Sequence, residues 1–240
     1  MMDQKFRGRG ASFNPQNRFE KLSVEEFTFD DWSDLEELGL KNLSTEYFID
    51  DSKTVIAKND SYDLGFDYSF NPYRGCEHGC IYCYARPSHE FLGFSSGVDF
   101  ETKIMVKPNG AKLLEDEFKK KNYKPDVIMF SGNTDCYQPI EKKLEITREA
   151  LKVCLKYCNP VALITKNALI QRDIDILKEM AELKLVSVSL SVTTLDRELA
   201  RKMEPRTSSP EMRLKTIEAL AANNIPVGVN LAPIIPGLND

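Results

Sequence analysis

From about residue 67 onward, short runs of aliphatic and β-branched residues alternate with longer stretches whose apolar positions recur every three or four residues. The short runs lie near Phe66 to Phe70, at Val127-Ile128-Met129-Phe130, at Val161-Ala162-Leu163-Ile164-Thr165, at Val186 to Val192 and at Val227 to Leu231. Runs of this length and composition predict strands. Between them, Ile170, Ile174, Leu177 and Ala181 recur at i, i+4, i+7 and i+11, and Leu214, Ile217 and Ala221 at i, i+3 and i+7, which predicts helices buried along those stripes. Strand followed by helix, repeated, predicts parallel βα units in an α/β fold with five strands.

The fourth and fifth runs separate an open sheet from a curled one. In Val186-Ser187-Val188-Ser189-Leu190-Ser191-Val192 the serines share one face and the aliphatics the other. Val227-Gly228-Val229-Asn230-Leu231 repeats the pattern with Gly228 and Asn230. Parallel strands sandwiched between helices are apolar on both faces, and closed eight-stranded barrels fill their interior with Val, Ile and Leu. Small polar residues on one face instead predict a partial (βα) barrel whose lumen has room for a polar ligand. The bland alternative is a sheet with one solvated face. The five-strand reading stops just after Val227 to Leu231, so the barrel is expected to be truncated there, with an exposed apolar edge that favours aggregation or weak cofactor binding.

Residues 1–60 read as an irregular N-terminal arm and 61–240 as the core domain. Arg7-Gly8-Arg9-Gly10 and Asn14-Pro15 are turn-prone, and Glu25 to Glu37 is acidic with interspersed Phe27, Phe29, Trp32 and Leu35. Arg7, Arg9 and Arg18 are read as solvated, with phosphate contact as the alternative. Residues 1–22 carry five basic and two acidic side chains and residues 23–51 one basic and ten acidic, so the net charge of −5 leaves the main body near neutral. That balance differs from the basic footprint of a duplex-binding protein, although a local basic channel remains compatible with it. At 240 residues, 42% hydrophobic and a mean hydropathy of −0.38, the chain predicts a soluble domain with a sizeable core, no membrane span and no secretory h-region, hence a cytoplasmic location.

Six cysteines in a reducing compartment read as metal ligands, reactive thiols or small core residues rather than disulfides. Cys154 and Cys158, four apart on a helix predicted to start near Glu141, have no convergent partners and read as packing residues. Cys76, Cys80 and Cys83 are different. They form C-x3-C-x2-C in Asn71-Pro72-Tyr73-Arg74-Gly75-Cys76-Glu77-His78-Gly79-Cys80-Ile81-Tyr82-Cys83-Tyr84, on the loop leaving the first predicted core strand, with Gly75 and Gly79 letting the backbone wrap closely. Three thiolates suit either an iron-sulfur cluster with one open iron or a structural zinc, for which His78 or His89 is the candidate fourth ligand. No G-x-G-x-x-G or P-loop pattern occurs.

This motif, with aromatic Tyr82 before the third cysteine and a βα barrel downstream, resembles the radical S-adenosylmethionine superfamily over about residues 60–240. The stretch Asn71 to Cys83, Cys83-Tyr84 and Thr134-Asp135-Cys136-Tyr137-Gln138-Pro139 are similar to its spore photoproduct lyase-related branch. The resemblance implies a [4Fe-4S] cluster on Cys76, Cys80 and Cys83, S-adenosyl-L-methionine on the open iron, and a 5′-deoxyadenosyl radical that abstracts hydrogen from an unassigned substrate, DNA-repair lyase-like in the nearest branch. A nucleic-acid substrate and an electron donor such as flavodoxin or ferredoxin follow as expected partners. Matched by position, Ser131, Gly132, Asn133 and Thr134 are candidates for the methionyl amine, Lys166, Ser189 and Ser191 for ribose and carboxylate, Arg206 for the carboxylate, and Ile235 for adenine. Cys136, Tyr82 and Tyr84 are the candidates for returning hydrogen. The opposing reading is a non-catalytic zinc- or cluster-binding interaction module.

Overall fold

The computed structural model describes residues 8–19, 43–61, 63 and 65–240. Arg7 and the acidic run from Glu25 to Glu37 lie outside the described residues. In chain order the strands and helices are β1 (Glu46–Ile49), β2 (Ile56–Lys58), β3 (Tyr68–Phe70), β4 (Tyr73–Arg74), α1 (Asp99–Thr102), β5 (Lys103–Val106), α2 (Gly110–Phe118), β6 (Ile128–Phe130) and α3 (Glu141–Leu144). They continue with α4 (Ile146–Lys156), β7 (Val161–Thr165), α5 (Ile174–Glu182), β8 (Val186–Ser191), α6 (Arg197–Met203), α7 (Pro210–Ala222) and β9 (Val227–Asn230). Short 3-10 segments occupy Arg86–Leu92 and Ala168–Asp173.

The five predicted strands are β3, β6, β7, β8 and β9, mutually parallel and in that spatial order, so the fold is an α/β partial barrel of βα units. The arm adds what the hydrophobic pattern did not predict. β2 closes one edge of the sheet by pairing antiparallel with β3, and β1 pairs parallel with β5 in a separate three-stranded sheet completed by β4. Asn71 and Pro72 carry the chain from β3 in the large sheet to β4 in the small one, immediately before the cysteines.

Register explains the two faces. Phe70, Phe130, Leu163 and Val188 lie in one row across β3, β6, β7 and β8, and they are buried against Leu114 of α2, Leu151 of α4, Leu177 of α5 and Leu220 of α7. The Phe70 and Phe130 rings are 4.6 Å apart. The alternate row holds Ser69, Met129, Ala162 and Ser187, followed by Ile164, Ser189 and Gly228. This inner face is open: Ser187 and Gly228 are exposed, and Met129, Ala162, Ile164 and Ser189 half-buried.

Two predicted helices differ in detail. The helix expected near Glu141 is broken at Glu145, whose φ of 53° separates α3 from α4, so Cys154 is buried in α4 while Cys158 lies past its end and is exposed. On α7 the buried face is Pro210, Arg213, Thr216 and Leu220, not the predicted stripe, and Leu214 is 47% exposed. A buried arginine rotates the helix, because Arg213 is drawn inward by Glu204 at 2.5 Å. Side-chain caps then fix the helix starts at the same end as the strand C-termini: Asp196 accepts from the N–H groups of Glu198 and Leu199, and Ser209 from that of Met212. No helix among the described residues is long and apolar enough to cross a membrane.

Candidate metal centre

The cysteine loop leaves β4 through Gly75, at φ 79°, where a Cβ would lie 2.9 Å from the Phe100 carbonyl oxygen and 3.0 Å from Ile104. Only glycine fits both the conformation and the space. Backbone bonds then tie the loop to two helices and to itself. Cys76 N–H donates to the Phe100 carbonyl of α1 at 2.9 Å, Ile81 N–H to the Met203 carbonyl of α6 at 3.0 Å, and Cys83 N–H to the Cys80 carbonyl at 3.3 Å. The Arg86 guanidinium donates two bonds, at 2.8 and 3.1 Å, to the Cys80 carbonyl.

The three thiols share one environment. Burial pushes Cys76 well up, with Asp135, Cys80 and Cys83 adding to it, and pushes Cys80 up to about 12 against the opposing pull of Lys166. Each thiolate would therefore repel the others, and a bound metal that takes up the charge releases their protons. Among the described residues no three His, Cys, Asp or Glu side chains are placed to hold a single metal ion. The candidate fourth ligands are occupied otherwise. His78 contacts Asp135 Oδ2 through Nδ1 at 3.3 Å and Asn167 Nδ2 through Nε2 at 3.2 Å. His89 is fully buried beside the Phe94 and Phe100 rings, with no hydrogen-bond partner on either nitrogen. Three soft ligands without a fourth fit a cluster with an open iron better than a tetrahedral zinc.

Asp135 ties this loop to the sheet. Its carboxylate accepts from Thr165 Oγ1 at 2.8 Å, Lys166 N–H at 2.9 Å and Tyr137 N–H at 2.8 Å. Burial alone would raise its pKa, but His78 and these donors win and hold it at about 2. Glu77, also buried, accepts from Thr45, Tyr47 and Arg206 on one oxygen and from Ile140 N–H on the other. Tyr82, between Cys80 and Cys83, is held by Glu204 and Thr193, and Glu204 in turn by Arg213, which is 1% exposed.

The candidate cofactor residues divide by what already holds them. Ser131, at φ 70°, spends its hydroxyl on Cys136 N–H at 2.8 Å, and Thr134 is buried with its hydroxyl on the Tyr73 carbonyl at 2.7 Å. Asn71 accepts from Asn133 N–H at 3.0 Å and steadies the turn, while Gly132 is half-buried and its carbonyl accepts from the Tyr84 hydroxyl at 2.5 Å. Lys166 is half-buried, with its ammonium 6.0 Å from the Tyr82 ring centroid. Ser189 is half-buried on the inner face and Ser191 buried beside it. Arg206 is turned to Glu77 at 3.4 Å, so its guanidinium already has a carboxylate. Ile235 N–H donates to Asn239 Oδ1 at 2.6 Å, and Asn239 also donates to the Thr193 carbonyl, which places the Ile235 segment beside Tyr82.

Cys136 sits apart from Tyr82 and Tyr84. It is fully buried in the main core cluster, and burial pushes its thiol well up, so it lies in the packed core and not on the open inner face. The Asp135 carboxylate faces the cysteine loop, and the turn sends the next side chain into the core. The residues that the sequence reading missed are charges out of water, with Glu77, Glu101, Glu204 and Arg213 buried and Asp135 nearly so. The one signal was their position inside or beside the cysteine motif and its downstream partner segments.

The family described as the Radical SAM superfamily matches residues 70–240. An uncharacterized protein of Mycobacterium tuberculosis is 37% identical over 177 residues, 74% of this chain and 52% of its own length. The chain thus spans about half the length of the curated relatives it matches. Among solved structures, spore photoproduct lyase complexed with dinucleoside spore photoproduct superposes with a TM-score of 0.59 at 17% identity, covering 79% of this chain and 52% of the other. A double mutant of that lyase with bound AdoMet and dinucleoside spore photoproduct gives 0.57 at 17%, covering 78% and 51%. At these identities the likeness is one of fold.

Proposed function

Because the chain belongs to the radical SAM superfamily, we propose that Cys76, Cys80 and Cys83 hold a [4Fe-4S] cluster and that the inner face of β7 to β9 receives S-adenosylmethionine and a polar substrate. The observation that carries this reading is one loop bearing three cysteines, with Cys76 and Cys83 packed on Ala85 and Phe100 and the backbone of Cys76 and Ile81 bonded to α1 and α6, while both candidate histidines are engaged or enclosed elsewhere. When bound, the cluster and S-adenosylmethionine supply one-electron cleavage of the sulfonium to a radical that abstracts hydrogen from the substrate.

The chain's own residues orient and shelter. Gly75 and Gly79 shape the loop, Arg86 fixes the Cys80 carbonyl, and Asp135 holds the loop against the ends of β6 and β7. Lys166 is half-buried just past the end of β7, its charge acting on Cys80 and Glu204, and it is freer to meet a carboxylate than Arg206, which Glu77 already pairs. Gly132 and Asn133 remain for the amine, Ser189 for ribose, and Ile235, next to Tyr82 through Thr193, for the base. Tyr84, 76% exposed at the mouth, is the side chain best placed to meet substrate. A nucleic-acid lesion is the first substrate to try, on the dinucleoside carried by the solved lyase structures. A flavodoxin or ferredoxin would supply the electron, in the reducing cytoplasm that keeps all six thiols free.

Anaerobic reconstitution with iron and sulfide tests the reading. About four irons per chain with visible absorbance, and 5′-deoxyadenosine once reductant and S-adenosylmethionine are added, is the expected result. Stoichiometric zinc with no iron uptake would overturn it in favour of an interaction module. Incubation with UV-irradiated DNA then tests the lesion substrate.

A further inference from the structure

Arg9 was expected to be solvated in a turn-prone arm, yet Gly10 beside it is seated on the cysteine loop. A Cβ on Gly10 would lie 1.8 Å from the Gly79 carbonyl oxygen, so the backbone of the arm touches that of the loop between Cys76 and Cys80. Glu101 of α1 anchors the contact. Its buried carboxylate accepts from Gly10 N–H at 2.9 Å and Ala11 N–H at 2.8 Å, and its carbonyl from Arg9 Nη1 at 2.7 Å. The same carboxylate accepts from Arg86 Nη2 at 2.6 Å, and Arg86 in turn grips the Cys80 carbonyl. Arg9 reaches on to the Leu43 carbonyl and Thr45 Oγ1, so its guanidinium bridges three parts of the chain and is not free to serve a phosphate.

One carboxylate therefore serves two purposes. A buried charge needs a partner and hydrogen bonds, and Glu101 obtains them from Arg86, which holds the middle cysteine, and from the arm, which covers the glycine beside it. We propose that Arg9-Gly10-Ala11 is a cover over the metal-binding loop, anchored by Glu101 as a positioning residue, and that it controls how readily the cluster loses iron. This rests on the cluster reading above. It gives the arm a role at the metal centre through backbone contact, without a ligand of its own.

The test uses the full 240-residue chain reconstituted anaerobically, with a ferrous chelator as the probe. Gly10→Ala cannot seat against Gly79, and it is expected to lose iron to the chelator about tenfold faster, as removal of supporting contacts around metal ligands typically does, with an altered electron paramagnetic resonance spectrum of the reduced cluster and unchanged circular dichroism. Gly65→Ala, where a Cβ meets nothing within 4 Å, is the control and should match the parent. Should Gly10→Ala not fold, Arg9→Ala keeps the backbone and removes only the guanidinium contacts; a smaller acceleration is expected. A parental rate and spectrum in the folded Gly10→Ala variant, or in Arg9→Ala where that variant is the readout, overturns the cover. Failure of the parent itself to take up iron overturns the cluster reading instead.

Discussion

Between Gly75 and Arg86 the chain is held from every side, by Phe100 and Glu101 of α1, by Met203 of α6, by Gln138 and Ile140 near α3, and by the arm. The inner face of β7 to β9 is the opposite: Ser187 and Gly228 stand exposed and Ile164 and Ser189 half-buried. A metal centre tolerates little movement of its ligands, so positioning is built into the fold before any metal arrives. A floor of small side chains asks only for space. On the function proposed above, the chain holds its reagent side by many contacts and leaves its substrate side open, and substitutions should separate the two.

The largest effect belongs to the held side. Cys80→Ala removes the ligand whose carbonyl Arg86 grips, and reconstituted protein should lose its visible absorbance and all 5′-deoxyadenosine formation while its circular dichroism stays parental. Retention of the intact cluster spectrum would break the comparison at its root, since a loop that yields a ligand without consequence is not a metal centre.

The two regions join at Arg213, which donates to the Ser191 carbonyl of β8 and to Glu204, the residue that holds Tyr82. Arg213→Ala leaves the Glu204 carboxylate buried without its cation, and the expected cost is about 3–5 kcal/mol, read as the denaturation midpoint. Glu204 lies below the usual carboxylate range despite burial, because Arg213, Thr193 and Tyr82 favour its charged form. A loss under 1 kcal/mol, a surface-pair value, would mean that loop and floor are mechanically independent.

Arg213 also marks where the sequence stopped being legible. The parallel strands were readable because aliphatic runs are local patterns, and C-x3-C-x2-C is local in the same way. On α7 the same reasoning chose Leu214, Ile217 and Ala221, since periodicity treats arginine as outward, whereas the partner that draws Arg213 inward comes from a different segment. The arm failed for the same reason: Arg9-Gly10 is turn-prone by composition, and only Glu101, 91 residues beyond Gly10, makes it structure. β1 and β5 are four-residue strands that stabilise each other across the chain, too short to declare themselves by period. Arg206 and Cys136 were placed by order along the chain, which does not say which way a side chain turns.

His89 gives a smaller effect with a pH signature. Burial drives its pKa down to about 4, from an ordinary 6.5, so it is neutral when folded. The unfolded chain binds the proton first, and stability contributed at neutral pH is lost as pH falls from about 6.5 toward 4, by up to about 3 kcal/mol. Because neither ring nitrogen is bonded, His89→Leu removes the titration without removing a hydrogen bond. The melting temperature of the parent should therefore fall more steeply than that of the variant across this window. Parallel curves would show that His89 is already solvated, and that the wall behind Gly75 is as open as the floor.

Cys136→Ala should have the smallest effect, and it sharpens the comparison most finely because Cys136 lies seven residues after Met129, which is on the floor, yet belongs to neither region. Its side chain is in the core with Tyr137, Ala150 and Leu151, enclosed by the helices outside the sheet. Removing a buried sulfur costs about 1 kcal/mol, visible as a shift in denaturation midpoint. Because the thiol does not reach the inner face, iron content, 5′-deoxyadenosine formation and any product formation should stay parental. A variant that cleaved S-adenosylmethionine normally but made no product would return Cys136 to the chemistry, as a hydrogen donor exposed by movement of the 131–135 turn. Parental product formation would leave Tyr84, at the open mouth on the Gly132 carbonyl, as the side chain to examine for that step.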